Sequence, residues 1–437
     1  MSTTTAGAPR ASSRSYVLGL LTLVYAFNFV DRQILGILAP FIAADLGFDD
    51  SQIGLLTGFY FALFYTVLGI PIAAYADRGP RVLIVSAALA VWSGFTFASG
   101  FVTSFFWLAL ARIGVAVGEA GGSPPSHSVL SDLYRPKERG RALAIYSLGI
   151  PFGTMAAYFA VAALAGEDDA PWRLVLFVIG APGVILAAII ALTVKEPRRG
   201  QLERAVSAPG VPFGAALRRL LRIPSYWLMC LGISFASFGG YAIAAFLVTY
   251  ITRAFPDVPV PPMLVTLGVI NGVSYAAGTY LGGQVADRWA ERDVRGYALA
   301  PARGTAVAGV AAVAALYVES YGVFIALVTA FTFFAGLYLG PSFSVAQNLA
   351  PVEVRATSTA VFFFVLNLIA LGGGSTVVGF ASTALTEAHG AEVGLRYALS
   401  LVGITYALAV VCYLATAVTL RKDWARAQGE NADTTFD

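Results

Sequence analysis

Residues 73–81 read AAYADRGPR, and residues 282–292 read GGQVADRWAER. Each stretch follows a long apolar run and contains an Asp-Arg pair. The two aspartates, Asp77 and Asp287, are 210 positions apart. Two such similar signals at this spacing indicate that a structural unit is repeated within the chain.

Two further loop signals repeat in the same order. The tripeptide PKE begins at Pro136, and PVE begins at Pro351, which is 215 positions later. One six-helix unit therefore occurs twice, with small insertions. Two six-helix bundles related in this way place a binding site between them, near the middle of the bilayer.

The composition suits a protein that is surrounded by lipid. Of the 437 residues, 58% are hydrophobic and only 12% are charged, whereas a soluble domain carries about 25% charged residues. So few charges cannot cover the surface of a water-soluble protein of this length. We therefore predict an all-α membrane protein.

Twelve apolar runs are long enough to cross a bilayer, for which a helix needs roughly 20 residues. The predicted spans are 16–42, 51–76, 82–104, 105–131, 142–165, 174–194, 226–252, 261–286, 298–318, 320–348, 356–384 and 395–420. They divide the chain into a tail at 1–15, a first bundle at 16–194, a linker at 195–225, a second bundle at 226–420 and a tail at 421–437.

The lysines and arginines predict an orientation, because positively charged loops stay in the cytoplasm. When both termini lie on one side, 23 of the 28 lysines and arginines fall on that side, three fall on the other side and two lie within spans. Both termini are therefore predicted to be cytoplasmic, and the chain is expected in the inner membrane of a cell. This distribution also explains the mild basic excess without a nucleic-acid partner.

The linker carries a helical pattern. Its apolar stripe comprises Phe213, Ala216, Leu217, Leu220 and Leu221. Arg218, Arg219 and Arg222 lie beside this stripe. The pattern predicts a short amphipathic helix on the inner leaflet, and its simplest role is that of a linker stabilised at the interface.

The repeated loop signals resemble those of the major facilitator superfamily. The loop motif of that superfamily, Gly-x-x-x-Asp-Arg-x-Gly-Arg, is matched by residues 73–81 with Ala73 in place of the first glycine and Pro80 in place of the second, and a second copy begins at Gly283. The resemblance covers nearly the whole chain. It implies a major-facilitator-like fold, with twelve transmembrane helices in two six-helix bundles, and a transporter rather than an enzyme.

A narrower resemblance, within residues 28–153, is to the spinster branch of this superfamily. It rests on NFVDR at 28–32, Arg112 with Glu119-Ala120, residues 128–134 and AIYSLGIP at 144–151. The resemblance implies a lipid-like substrate such as sphingosine-1-phosphate or a lysophospholipid. An Asp-Arg pair in the first span also occurs in organic-anion carriers of the same fold. An organic-anion or multidrug carrier is therefore the alternative.

Four charged residues lie within the spans and away from the helix ends: Asp31, Arg32, Arg112 and Glu119. A charge at the bilayer centre costs about 2.5–3.5 kcal/mol on insertion scales, so each is expected to have a function. With a rise of about 1.5 Å per residue, Asp31 and Arg112 fall at similar depths. We therefore expect Asp31 to pair with Arg112 and Glu119 to be the less compensated carboxylate.

These four residues are the candidates for coupling and for substrate binding. A carboxylate whose surroundings change as a cavity opens and closes can bind and release a proton, and we assign this role to Asp31 or Glu119. Arg32 and Arg112, which stay cationic, suit a charge partner or an anionic head group. The alternative is that the four residues form static pairs that fix the register of the helices.

The second bundle offers no charge within its spans when the ends of the helices, where Arg303 and Arg396 lie, are left out of account. An amphipathic solute would therefore place its head against the first bundle and its tail against the second. The cavity candidates are polar or aromatic: Asn28, Tyr60, Tyr241, Asn271, Tyr275, Ser342 and Asn367. The candidates for a cytoplasmic gate are charged: Asp77, Arg78, Arg81, Arg139 and Arg141. Contacts of the gate residues are expected to close the cytoplasmic side in the outward-facing state.

The sequence argues against several other classes of protein. None of the three lysines lies in the Gly-Lys-Ser/Thr of a nucleotide-binding loop, so ATP hydrolysis is not expected. The two histidines and two cysteines form no recognisable zinc site, and we expect neither a metal nor a cofactor. The leading hypothesis is a proton-coupled secondary transporter of an amphipathic solute that works by alternating access as a monomer. A membrane sensor is the alternative from another class.

Overall fold

The computed structural model describes residues 13–76, 78–167, 169–200, 213–351 and 354–433. Regular structure in these ranges is helical. The protein is an all-α membrane protein with the major facilitator fold, as the sequence predicted.

The first half of the chain forms spans 1 to 6. Its helical segments are Arg14–Leu46, Asp50–Gly54, Leu55–Phe59, Tyr60–Ala76, Arg81–Ser99, Phe105–Ala120, Ser123–Leu133, Pro136–Ser147, Gly149–Leu164 and Trp172–Thr193. Consecutive segments combine, so that span 2 is Asp50–Ala76, span 4 is Phe105–Leu133 and span 5 is Glu138–Leu164. Span 1 is Arg14–Leu46, span 3 is Arg81–Ser99 and span 6 is Trp172–Thr193.

The second half forms the linker helix and spans 7 to 12. Its helical segments are Phe213–Leu220, Pro224–Ala254, Val260–Val269, Ile270–Ser274, Tyr275–Ala290, Gly296–Ala315, Tyr321–Gly336, Leu339–Leu349, Arg355–Leu366, Asn367–Leu371, Gly372–His389 and Ala391–Asp433. Spans 7 to 12 are, in order, Pro224–Ala254, Val260–Ala290, Gly296–Ala315, Tyr321–Leu349, Thr357–His389 and Ala391–Gly429.

Eleven of the described helices are long and apolar enough to cross a membrane, judged by length and composition. Span 1 is the twelfth. It has the length, with 33 residues, but it carries Asp31 and Arg32 near its middle, and these two charges reduce its hydropathy. The chain thus has the predicted twelve transmembrane helices in two six-helix bundles.

Spans 4 and 10 are interrupted at corresponding places. Span 4 breaks at Gly121 and Gly122, and span 10 breaks just before Leu339. Pro124 and Pro125 lie in the first turn after the break in span 4, where the missing proline N–H groups have no helical partner to lose. The break therefore falls one residue after the segment that carries the intramembrane charges of span 4.

Glycines let the helices approach one another closely. A Cβ added to Gly153 of span 5 would lie 2.3 Å from the Ala26 main-chain oxygen of span 1. Between the bundles, a Cβ on Gly36 of span 1 would lie 2.8 Å from the Ala244 oxygen of span 7. Only glycine permits this backbone contact, as at other interfaces of small residues in membranes.

Spans 2, 8 and 11 lie at the boundary between the bundles, and each contains a π-helical turn. These turns are Leu55–Phe59, Ile270–Ser274 and Asn367–Leu371. In span 2 the main-chain N–H of Phe59 donates to the hydroxyl of Thr376 in span 11 at 3.0 Å. The widened turn thus supplies a main-chain donor for a contact between bundles, and such turns are frequent at functional sites.

The last helix is longer than predicted, since it continues past residue 420 to Asp433. The rings of Tyr297 and Trp424 stack with centroids 5.6 Å apart, and Arg421 donates to Asp293 at 2.6 Å. The hydrogen bonds from Arg421 and Arg295 lower the pKa of the Asp293 carboxyl below its usual range. Contacts with the loop between spans 8 and 9 therefore hold a polar helical extension that hydropathy does not reveal.

Candidate functional site

The four intramembrane charges lie on two neighbouring helices of the first bundle. Asp31 and Arg32 are on span 1, and Arg112 and Glu119 are on span 4. Asp31, Arg112 and Glu119 are buried, with 1%, 4% and 1% of their surfaces exposed. The side chain of Arg32 keeps 13% of its surface exposed. The four residues form one cluster in which Arg32 is the member with most access to solvent.

The ion pair of this cluster joins Arg32 to Glu119, with 2.8 Å between Nε and Oε2. Arg112 donates to the main-chain oxygen of Asp31 at 3.3 Å and makes no ion pair with its carboxylate. The expected pairing of Asp31 with Arg112 was therefore wrong. Glu119, which we expected to be the less compensated carboxylate, is the one with a counter-ion.

Asp31 turns instead towards span 3. The hydroxyl of Thr96 donates to Asp31 Oδ1, and Trp92, one helical turn earlier, also lies beside the carboxylate. Among the described residues, Asp31 Oδ2 has no hydrogen-bond partner. Sequence reasoning missed Thr96 and Trp92, because span 3 also contains three serines and nothing in its sequence singles out Thr96.

Several buried polar atoms around the cluster lack partners in the described part of the chain. They are Asn28 Oδ1, Asp31 Oδ2, Trp92 Nε1, Arg112 Nε and Glu119 Oε1. Leaving one such atom unsatisfied costs about 1–3 kcal/mol. A cluster with five of them can take up a new hydrogen-bond partner at little cost, which is the property that a proton-binding or ligand-binding site needs.

Aromatic rings surround the guanidinium group of Arg32. Its central carbon lies 5.5 Å from the ring centroid of Phe29, 5.4 Å from that of Phe61 and 4.8 Å from that of Tyr65. Cation–π contacts at such distances are worth about 0.5–2 kcal/mol, with the larger values at desolvated sites. Arg32 bonds Glu119 through Nε, and Tyr241 of span 7 lies beside the same guanidinium.

A pocket that is partly continuous with solvent lies between the bundles next to this cluster. The first bundle contributes Phe29, Arg32, Gln33, Gly36, Thr57, Phe61 and Arg112, and the second contributes Tyr241, Ala244, Ala245, Leu371 and Ser375. The charged side chains come from the first bundle, and the second bundle supplies one tyrosine, one serine and apolar surface. Sequence reasoning found Arg32, Arg112 and Tyr241 but missed Gln33, Thr57 and Ser375.

The other cavity candidates do not line this pocket. Asn28 is buried beside Glu119, and Tyr60 packs against Phe59 and Phe105. Asn271 and Ser342 donate to main-chain oxygens of their own helices, at 2.9 Å and 2.7 Å. Tyr275 lies near Tyr241 and Tyr338, and Asn367 begins the π-helical turn of span 11.

The two bundles are joined on the side away from the chain termini. Arg253 of span 7 bonds Asp50 of span 2 at 2.7 Å and 2.8 Å, and Ser382 of span 11 donates to the same carboxylate at 2.6 Å. The N–H of Ser51 donates to Thr383 of span 11 at 2.9 Å. Between described residues, every hydrogen bond from one bundle to the other lies in this half of the spans, so the pocket is closed on this side.

The gate candidates lie on the side of the termini, and Asp77 lies outside the described residues. Arg81 is buried, pairs with Asp132 and with Glu196 at 2.7 Å, and donates to Ser128 at 2.9 Å. All of these partners belong to the first half of the chain. Arg139 donates to the Ser131 main-chain oxygen at 2.8 Å, whereas Arg78 and Arg141 are exposed.

Comparison with known proteins yields a family. The family model described as Major Facilitator Superfamily matches residues 21–374. An MFS-type efflux pump of Mycolicibacterium smegmatis is 34% identical over 409 residues, which is 93% of each chain. The sphingosine-1-phosphate transporter SPNS2 of Xenopus tropicalis is 27% identical over 437 residues, which cover 94% of this chain and 83% of the relative.

A solved structure shares the architecture. It is that of a bacterial homologue of the human lysosomal transporter spinster, in an inward-facing and unoccupied conformation. It superimposes with a TM-score of 0.86 and 31% sequence identity, and the match covers 94% of this chain and 98% of the other.

Proposed function

The chain belongs to the major facilitator superfamily of transporters, and from this premise we propose that it moves an amphipathic, anionic solute by proton-coupled alternating access. The protein is a multi-pass membrane transporter and not an enzyme. In this proposal both termini face the cytoplasm, the chain works as a monomer and Asp31 carries the coupling proton.

The observation that carries the coupling proposal is the environment of Asp31. Its carboxylate is buried, accepts a hydrogen bond from Thr96 and forms no ion pair with another described residue. A buried charge without a partner is costly. Loss of a proton from Asp31 would therefore draw a cation towards it, and Arg112 already contacts the main chain of the same residue.

That rearrangement would reach the substrate pocket through shared arginines. Arg32 follows Asp31 in the chain and bonds Glu119, and Arg32 and Arg112 both line the pocket. When Asp31 is charged, the carboxylates of Asp31 and Glu119 together occupy both arginines. When Asp31 is neutral, an arginine is free for an anionic solute. Proton binding and solute binding thus depend on the same groups.

The substrate class follows from the two walls of the pocket. The guanidinium of Arg32, which lines the pocket, suits a phosphate or carboxylate, because a guanidinium binds such groups through two parallel hydrogen bonds. The opposite wall, formed by Ala244, Ala245 and Leu371, suits an apolar tail. Similarity to a sphingosine-1-phosphate transporter supports a lipid-like solute of this kind.

The conformation supports alternating access. Closure on the side away from the termini leaves the other side as the route to the pocket, and with cytoplasmic termini this is an inward-facing state. The inward-facing spinster homologue has the same architecture. We propose that Arg78, Arg81, Arg139 and Arg141 take part in closing the cytoplasmic side in the opposite state.

One alternative substrate class has specific support. The efflux pump that is 34% identical to this chain favours a multidrug or organic-anion carrier that uses the same pocket. The experiment is transport into proteoliposomes under an imposed pH gradient, with a radiolabelled lysophospholipid or sphingosine-1-phosphate, a small dicarboxylate and a hydrophobic cation as competing candidates.

The proposal expects gradient-driven movement of the amphipathic anion. Movement of only the dicarboxylate or the cation would favour the alternative. Binding without movement of any solute would point to a sensor and contradict the transport proposal.

A further inference from the structure

The helix of the linker, Phe213–Leu220, has one side packed on the protein. Ala216 and Leu220 are fully buried. The indole N–H of Trp227 donates to the Leu220 main-chain oxygen at 3.1 Å, which ties the end of the helix to span 7. This side of the helix therefore has its partner within the chain.

The outer side of the helix combines large apolar residues with arginines. Phe213 is 63% exposed and Leu221 is 60% exposed. Leu221 continues the helix, since its N–H donates to the Leu217 oxygen at 2.9 Å. With about 100° of rotation per residue, Arg218 lies about 60° from Leu221 around the helix axis, and Arg222 follows Leu221 in the turn that ends the helix. The exposed surface is thus amphipathic, with an apolar edge beside a basic one.

No neighbouring acid neutralises these arginines locally. The chain has no aspartate or glutamate between Phe213 and Ile223. Arg218 and Arg222 are exposed, and neither side chain forms a hydrogen bond or ion pair with another residue that the structure describes. A guanidinium group in this position is available to a phosphate from outside the protein.

The helix lies at the boundary of the membrane. Span 7 begins at Pro224, four residues after Leu220. Four residues reach at most about 14 Å, which is less than half the thickness of a bilayer core. An amphipathic helix held at this depth, with Phe and Leu beside Arg, has the properties of helices that lie in the head-group region.

We propose that the outer surface of the linker helix, formed by Phe213, Arg218, Leu221 and Arg222, binds the head groups of anionic phospholipids. The two apolar side chains enter the boundary of the acyl chains, and the two arginines contact lipid phosphates. The lipid is selected by charge, because a zwitterionic head group offers no net attraction to the arginines. This inference does not depend on which solute the pocket carries.

Gly214 provides a reporter position. It lies between Leu221 and Arg218 around the helix, and a Cβ added there meets no atom within 4 Å. In a background with Cys230→Ala and Cys412→Ala, Gly214→Cys would carry a fluorophore. The full chain is placed in phosphatidylcholine nanodiscs that contain the same small fraction of spin-labelled phosphatidylglycerol or spin-labelled phosphatidylcholine, and quenching of the fluorophore is compared.

The spin-labelled phosphatidylglycerol should quench more strongly than the phosphatidylcholine, with a local enrichment of about fivefold for each arginine that contacts head groups. Arg218→Gln with Arg222→Gln should remove the enrichment, and lysine at both positions should retain it. The matched control is Arg288→Gln with Arg292→Gln, which removes two exposed arginines from the last turn of span 8 and from the loop after it. This control should leave the enrichment unchanged.

Three outcomes would overturn the proposal. Equal quenching by the two lipids would show that the surface does not select charge. Equal loss in the control pair would show a general attraction rather than a site on the linker helix. No quenching by either lipid would place the surface away from the bilayer, as expected for a surface that binds a protein.

Discussion

Arg253 and Asp50 form a bidentate ion pair that joins the two bundles on the side away from the termini. Arg253 Nη1 lies 2.7 Å from Asp50 Oδ2, and Nη2 lies 2.8 Å from Oδ1. Asp50 is 5% exposed and also accepts the hydroxyl of Ser382. Three spans from both bundles thus meet at one carboxylate, which holds this side of the transporter closed.

Asp50→Asn should favour the conformation that is open on this side. The substitution removes the charge that holds Arg253, and a hydrogen bond to a charged group contributes about 1.5–3 kcal/mol. The ratio of closed to open molecules should fall by roughly tenfold or more. Spin labels at Thr103 and Ala388, which lie on different bundles and are exposed, should show a longer distance.

The control for this prediction is Asp45→Asn. Asp45 is on the same side of the membrane and pairs with Arg173, but both residues belong to the first bundle. In Asp45→Asn, the distribution of distances between the two spin labels should match that of the chain without this substitution. Equal distributions for Asp50→Asn and the unmodified chain would show that the ion pair does not hold the closure.

Gly54→Ala should also loosen this side. A Cβ at Gly54 would lie 2.5 Å from the main-chain oxygen of Ser375 in span 11, and a backbone atom cannot turn away. Overpacking of this kind costs about 1–3 kcal/mol. Hydrogen–deuterium exchange should therefore increase in the segment from Asp50 to Phe59.

Gly94→Ala in span 3 provides the comparison, because its added Cβ would meet no atom within 4 Å. Both substitutions replace a helical glycine, so their effects on helix propensity are alike. If exchange in span 2 rises as much with Gly94→Ala, the contact of Gly54 with Ser375 is not what closes the bundles.

Substitutions of Arg32 and Glu119, which form a buried ion pair, should have strongly non-additive effects on the free energy of unfolding. Removing one member of a buried pair leaves the other charge uncompensated and costs about 3–5 kcal/mol. Arg32→Gln and Glu119→Gln should each lower the free energy of unfolding by such an amount. The double variant should lose much less than the sum of the two.

The exposed pair of Arg14 and Glu138 has the same 2.8 Å separation and serves as the reference cycle. Exposed pairs are worth about 0–1 kcal/mol, so this cycle should show little coupling in the same thermal unfolding assay. Comparable coupling in the two cycles would contradict the importance that we assign to burial of the Arg32–Glu119 pair.

The fold was predictable because lipid imposes a simple requirement on each span. The predicted span at 174–194, for example, is the helix Trp172–Thr193. This reasoning fails where tertiary contacts, rather than hydropathy, determine where a helix ends. The last helix continues past residue 420 because Trp424 and Arg421 contact a neighbouring loop, and no feature of the last span itself indicates these partners.

The members of the charge cluster were predictable, but their pairing was not. The helical rise predicts that Asp31 and Arg112 lie at the same depth in the membrane. The hydrogen bond from Arg112 to the Asp31 main-chain oxygen agrees with this prediction. The direction of a side chain depends on all the helices around it. The hydroxyl of Thr96 in span 3 donates to the Asp31 carboxylate, and the side chain of Arg32 is long enough to reach Glu119. The sequence alone does not show that span 3 contacts Asp31.

The most direct test of proton coupling measures solute uptake into proteoliposomes with and without a pH gradient, for Asp31→Asn, Glu119→Gln and the exposed control Asp45→Asn. Solute exchange without a gradient is measured in parallel to show that each variant is folded. We predict that Asp31→Asn still exchanges solute but no longer responds to the gradient, while Asp45→Asn responds fully. If Asp31→Asn accumulates solute in response to the gradient as the unmodified chain does, Asp31 does not carry the coupling proton; if Glu119→Gln does so as well, neither carboxylate carries it.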